Sequence, residues 1–401
     1  METVEIDPRG DVALQVPCPP PYSLVLVVPA APSPGQSQGE VHTTINEGAR
    51  DTRDLVVSSK VLSVASPVFK AMFCGEFSEG ARLAARHEPS PPFQLPLPDD
   101  DGDAMLLLCK LLHFATDDVP DLPGLDLLAK LAEVCDKYQC TAVLRHCGNC
   151  WARNWLREFE TEAPGLEDLC YLFLFTYIAD LAAEFAEVAW MLLLQHRGPL
   201  TGAESQIGIL LEHPLLSQGL LERLESKRLQ LCNAFHIALM SPITSWNWGS
   251  LMQGCLRAAT TTARYNQALR DAGLLPYDLQ FSGHTFAELL DGVDRLGYIA
   301  VPPCPINKRS CGFCHQDSQD NLVNALLSAA HSIRRCKPWF SCLDCCRGAT
   351  TTRGSKAGAE GERRCRIKHN DDLEMKERFS NTQLKIAPPV PASNAVVPVR
   401  K

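Results

Sequence analysis

Hydrophobic spacing changes once along this chain, and that change limits the folds open to it. Over residues 10–150, short runs with a two-residue period alternate with stripes of three- and four-residue period. The runs are Gly10-Asp11-Val12-Ala13-Leu14-Gln15-Val16, then Leu55-Val56-Val57, then Phe93-Gln94-Leu95-Pro96-Leu97. A period of two sets alternate side chains on one face of a strand. Pro96 makes the last of these an edge strand, since it has no N–H for a central ladder. From 165 to 300 only the helical period remains, in segments near 166–197, 203–212, 217–240, 250–273 and 284–296. The expected fold class is therefore a small α+β domain over 8–150, followed by an all-α region over 165–300.

Local signals place the helices of the first domain. Ser58 or Ser59 offers a side-chain oxygen to cap one helix. Pro67 suits the first turn of a second, near 66–74. The acidic run Asp99–Asp103 supplies negative charge to the start of a helix at 104–115, whose buried stripe is Leu107, Leu108, Leu111 and Leu112. Leu125, Leu128, Ala132 and Cys135 give a helix over 125–138 one apolar face, and a helical pair follows at 141–157. Residues 17–50, rich in Pro, Ser, Gly and Gln, read as an inserted loop or hairpin with a β-like run at 23–28.

Composition excludes several classes. Of 401 residues, 45% are hydrophobic and 21% charged, which rules out wholesale disorder. The longest apolar stretch, 169–194, is interrupted by Asp180, Glu184 and Glu187, so no membrane span is expected. The start METVEIDPRGD lacks the basic and apolar regions of a signal peptide, and no Asn-x-Ser/Thr sequon occurs. With 18 cysteines, these features point to a reducing cytoplasmic or nuclear setting. Residues 305–401 carry 17 Lys and Arg against 9 Asp and Glu, so a basic end follows an acidic body. Beyond about 375 no periodicity survives, and 370–401 reads as mostly disordered.

The stretch Val57-Ser58-Ser59-Lys60-Val61-Leu62-Ser63-Val64-Ala65-Ser66-Pro67-Val68-Phe69-Lys70-Ala71-Met72-Phe73 resembles the start of a BTB/POZ domain. Phe77-Ser78-Glu79-Gly80, Leu95-Pro96-Leu97-Pro98-Asp99-Asp100, 104–114 (AMLLLCKLLHF) and 128–138 (LAKLAEVCDKY) continue the match. It covers 8–150 apart from the insert, and its wording is closest to the fungal BTB-containing set. The resemblance implies a small sheet capped by helices that serves protein–protein contact, often as a homodimer. Two departures stand out: Val57-Ser58-Ser59-Lys60 replaces the His-Ala-His-Lys of metazoan members, and the insert falls near the dimer surface of many relatives.

Phe77-x-Glu79 falls where cullin-binding BTB adaptors carry a hydrophobic-x-Glu motif. A hydrophobic anchor beside an exposed acid offers a partner one buried contact and one orienting charge. The plainer alternative is a helix-end aromatic packed on the domain's own core. Val68, Phe69, Met72 and Phe73 crowd apolar surface onto one helix, and self-association is expected to use them.

Eight cysteines fall within 304–369. Cys311-x2-Cys314 and Cys342-x2-Cys345 have the spacing of zinc knuckles, and Cys365-x3-His369 that of a helical ligand pair. The segment around Cys342 and Cys365 also resembles the Cys-rich ends of the fungal proteins. A small Cys/His-rich zinc segment is favoured over a scatter of reduced thiols. Cys342, Cys345, Cys365 and His369 are the preferred ligands, and Cys311 and Cys314 head a second site or replace one pair. Cys311-Gly312-Phe313-Cys314-His315 also matches covalent haem attachment, which needs an exported setting. The basic cluster Arg363-Arg364-x-Arg366-x-Lys368 reads as a solvated face or import signal before a nucleic-acid site. His113, His146, His213 and His236 read as satisfied boundary residues. No nucleophile elbow, Walker loop, GxGxxG or HExxH occurs, so nothing argues for an enzyme.

Overall fold

The computed structural model describes residues 2–18, 52–75, 77–86, 90–201, 205–244, 256–299, 322–335, 342–347 and 366. Four strands form one sheet: β1 (Glu2–Glu5), β2 (Val12–Pro17), β3 (Thr52–Val57) and β4 (Phe93–Pro96), in the order β1-β3-β2-β4. β2 and β3 pair antiparallel with Val12 opposite Val57; β1 runs parallel to β3, and β4 parallel to β2. Val12, Leu14, Val16, Leu55 and Val57 are fully buried, as their alternation requires. β4 lies at the edge that Pro96 dictates, with Phe93 and Leu95 turned inward. β1 carries no apolar alternation and is almost wholly exposed. Backbone pairing with β3 and the ion pair of Glu2 with Arg53 at 2.9 Å hold it, and it extends the sheet ahead of the expected start at residue 8.

Helices cap the sheet where the capping residues indicate. Ser58 starts α1 (Ser59–Ala65), with its side chain accepting from Val61 N–H. His113 stands behind that turn: its Nε2 accepts from the Ser58 N–H at 3.0 Å, while Nδ1 lies 2.8 Å from the Cys109 carbonyl. Ser66 caps α2 (Pro67–Cys74), and a short α3 (Ser78–Ala84) follows. Asp101 caps α4 (Gly102–Leu112) by accepting from the Asp103 and Ala104 N–H groups. A side chain at Gly102 would meet the Pro17 carbonyl oxygen at 2.0 Å, so only glycine lets this helix start against β2.

α5 (Leu125–Lys137) leads through a 3-10 turn at Thr141–Val143 into one long helix, α6 (Leu144–Thr161), where a helical pair was expected. α7 (Leu166–Ile178) and α8 (Ala182–Gln195) replace the single expected helix at 166–197. The break has no Gly or Pro. Asp180 takes φ 60°, and the Leu181 N–H bonds back to the Thr176 carbonyl, closing a left-handed helix end that Asp tolerates.

Next come α9 (Gly208–Leu211), α10 (Gln218–Thr244), α11 (Leu256–Asp271) and α12 (Phe286–Arg295). α10 runs past Pro242, where an end was expected. Proline in the final turn removes a single N–H from a ladder that is already ending. α12 opens with a capping box between Thr285 and Glu288. α5 packs along α7, and the described residues all belong to one compact unit spanning Met1–Ile367. Glu184, 3% exposed, joins α8 to α6 by accepting from Asn149 and Arg153 at 2.8 Å each.

The Cys-rich segment contains α13 (Asn324–Arg335) and α14 (Leu343–Cys346). Leu326, Ala329, Ala330 and Ile333 bury one face of α13, which packs on α10 and α12. Apolar burial therefore orders part of a segment in which metal was expected to do that work. The β-like run at 23–28 and the tail 370–401 lie outside the described residues. Among the described residues no helix is long and apolar enough to cross a membrane.

Candidate docking groove

Four apolar residues on α2 were expected to share one exposed surface, and the fold divides them. Phe69 and Phe73 point inward, 0% and 6% exposed, and stack with ring centroids 5.8 Å apart. Phe69 also stacks on Tyr138 at 4.2 Å. A partner cannot reach either ring, so both leave the expected contact surface. Val68 and Met72, one position earlier in each turn, stay half-buried and line a groove of about 410 Å³. Pro67, Ala71, Phe77, Glu79 and Gln139 complete it.

Close backbone packing places Phe77. The Gly75 N–H donates to the Ala71 carbonyl, ending α2, and a side chain there would strike that oxygen at 2.3 Å. Gly80 is buried against the Gly75 and Phe73 carbonyls, each 3.0 Å from where a Cβ would sit, so α3 begins directly on the end of α2. At the first position before α3, Phe77 is 60% exposed. The reading in which this ring packs on the domain's own core is therefore not met. Glu79, in the first turn of α3, accepts from the Ser78 hydroxyl at 3.0 Å and is the one charged residue lining the groove among the described residues. The Arg82 guanidinium over the Phe93 ring, 5.1 Å from its centroid, holds α3 to β4.

The groove rests on a buried polar support. Ser66 Oγ accepts from the Phe69 N–H at 3.1 Å and donates to the Tyr138 carbonyl at 2.6 Å, tying the start of α2 to the end of α5. The Tyr138 hydroxyl donates to Asp100 at 2.7 Å, and Lys137 reaches the other carboxylate oxygen at 2.7 Å. Burial, then the bond to the Asp100 carboxylate, raises the Tyr138 pKa far above the ordinary phenol value. Nothing in the sequence marked Gln139 for the groove except its place just past a helix end.

A second cluster holds the far end of the described chain. Arg347 and Arg366 both pair with Asp180, at 2.6 and 2.7 Å, and Arg366 also pairs with Asp344 at 2.8 Å. The Arg347 guanidinium lies 4.8 Å over the Tyr177 ring and donates to the Tyr177 carbonyl. Hydrogen bonds to Asp180 and then Asp344 raise the Arg366 pKa. Burial pushes Asp344 up, but its bonds from Arg366 outweigh that and hold it below the usual carboxylate range. The charge of Arg366, counted above within a basic cluster, is thus engaged inside the chain.

Of the expected zinc ligands, Cys342 is buried at the start of α14. Cys345 lies within that helix, but its side chain is outside the description, as are Cys311, Cys314, Cys365 and His369. Among the described residues no three His, Cys, Asp or Glu side chains converge as metal ligands. Set against known proteins, the chain matches no family model, no curated protein and no solved structure.

Proposed function

We propose that this chain is a non-catalytic protein–protein interaction module of the BTB/POZ type, and that the groove between α2 and α3 docks a cullin-type partner. The supporting observation is Phe77, a largely exposed aromatic at the rim of an apolar groove that Glu79 also lines. Covering that ring yields about 1–2 kcal/mol, since full burial of such a side chain is worth about 1.5–3 kcal/mol. Val68, Ala71 and Met72 add apolar area beside it, while Glu79 orients a basic group on the partner. Such an arrangement fits a substrate adaptor of a ubiquitin ligase. Binding of a cullin N-terminal domain to the purified chain, and its loss in Phe77→Ala, tests the reading. A second copy of the chain is the other partner the resemblance implies, but with Phe69 and Phe73 inside, α2 supplies less surface for it.

The Cys-rich segment is proposed to hold zinc through Cys342, Cys345, Cys365 and His369. The Arg366 N–H donates to Asp344 at 2.7 Å; Asp344 stands between the two knuckle cysteines, and Arg366 directly follows Cys365 in the chain. That bond supports bringing a Cys-x3-His arm to a Cys-x2-Cys knuckle. Metal analysis of the purified protein should find zinc near one equivalent per chain, and zinc absent before and after chelation would overturn it. Nucleic-acid binding remains the alternative for the basic end, and the pairing of Arg366 with two carboxylates argues against it.

A further inference from the structure

The helix α5 ends in a turn whose closing bond joins two cysteines. Gln139 takes φ 53°, in the left-handed region. Its N–H donates to the Asp136 carbonyl at 2.9 Å, and the Cys140 N–H donates to the Cys135 carbonyl at 2.8 Å. This pair of bonds defines a Schellman turn, in which the side chains at the two outer positions approach one another. Both outer side chains here are free thiols, close enough that each shifts the other's pKa. The backbone bond between the two residues keeps their Cα atoms within the roughly 7 Å that a disulfide tolerates.

The two thiols are not equivalent. Both are buried, Cys135 at 0% and Cys140 at 3% exposed, and Cys140 directly follows the exposed Gln139. The Cys135 thiol donates to Cys140 and so lowers the Cys140 pKa, outweighing burial. Its own bond to Cys140, and then burial, hold Cys135 well above the ordinary thiol value. The Cys140 sulfur is thus the better thiolate, with the Cys135 sulfur next to it across the turn.

We propose that Cys135 and Cys140 form an oxidation site, which a hydroperoxide converts to an intramolecular disulfide that reshapes the docking groove. The Cys140 thiolate attacks a peroxide oxygen; the O–O bond breaks, and the leaving oxygen takes a proton and departs as water or an alcohol. Cys140 is then a sulfenic acid. The Cys135 sulfur attacks the Cys140 sulfur, the S–O bond breaks, and the hydroxide leaves with the Cys135 proton as water. Two thiols lose two electrons, and the peroxide gains them.

The turn transmits the change. A disulfide draws its sulfurs to about 2.05 Å, well inside non-bonded contact, and residues 136–139 lie between the two cysteines. Within that span, the Tyr138 carbonyl accepts from Ser66, the cap of α2, and its ring stacks on Phe69. Gln139 itself lines the groove. The consequence for docking rests on the function proposed above; the cross-link does not.

The test uses the full chain, reduced, exposed to hydrogen peroxide, and alkylated under denaturing conditions. Trypsin cuts after Lys137 and separates the two cysteines. The expected result is peptide 131–137 joined to peptide 138–145, lighter than their sum by two hydrogens and released by dithiothreitol. Hydrogen exchange over 66–79 should change on oxidation in the parent chain and stay unchanged in Cys140→Ala. Recovery of both peptides fully alkylated, sulfinic acid on Cys140, or a link from Cys140 to Cys109 or Cys147 would overturn the proposal. A correct cross-link with unaltered exchange over 66–79 would overturn its effect on the groove. Mass and exchange are read with no partner present, so a failure of cullin binding is a separate result.

Discussion

Tyr138→Phe removes one oxygen from the support beneath the groove and leaves the ring in place. Asp100, with its side chain 2% exposed, then keeps only Lys137 of its two close donors. A hydrogen bond to a charged group is worth about 1.5–3 kcal/mol net, and the loss falls at the upper end when the acceptor is buried. The Phe69 stack survives, so no cavity cost is added; Phe69→Ala, by contrast, should cost about 3–5 kcal/mol. With a urea slope of about 2–3 kcal/mol per molar, Tyr138→Phe should lower the unfolding midpoint by about 0.5–1.5 M. Urea titration followed by tryptophan fluorescence reads this directly. Asp100→Asn, alone and combined with Tyr138→Phe, completes a double-mutant cycle, and coupling of about 1 kcal/mol or more is expected for groups in direct contact. A midpoint shift below about 0.2 M, or coupling near zero, would refute the claim that this buried bond anchors the end of α5 to the segment before α4.

Stability should be flat from neutral pH to about 8.5 and fall above about 9. Burial pushes Cys170 up to about 12 and Cys232 up to about 11, and it raises Tyr138 and Tyr265 above their ordinary values. Each contribution is complete below the unfolded pKa and is lost as pH rises through the folded one, so urea midpoints unchanged to pH 11 would contradict it. Arg366→Ala should speed proteolytic cutting between 347 and 366 and weaken the salt dependence of that rate, because its pairs are part-exposed and worth about 1 kcal/mol or less each; an unchanged rate would contradict the clamp.

Much of the first domain was legible because its signals are local. Ser58, Ser66, Pro67 and Asp101 declare helix starts by what their atoms offer, and β2, β3 and β4 declare themselves by alternation. β1 was hidden because Glu-Thr-Val-Glu has no face to bury. The end of α7 was hidden because Asp180 adopts a left-handed conformation that composition associates with glycine. On α2, the pairs Phe69/Phe73 and Val68/Met72 have the same spacing, so periodicity shows an apolar helix without showing which pair faces the core. Tyr138 decides that by stacking on Phe69 across a sequence separation no local pattern reports. The stripe of α13 was present in the sequence, but the surrounding cysteines drew the reading toward metal.

Titration of the purified chain with a cullin N-terminal domain, followed by calorimetry, tests the docking claim most directly. The account predicts saturable one-to-one binding, weakened by at least about tenfold, or 1.4 kcal/mol, in Phe77→Ala and in Glu79→Lys, with Val64→Ala on the exposed face of α1 unaffected. No binding by the parent chain, or equal binding by all the variants, would contradict it.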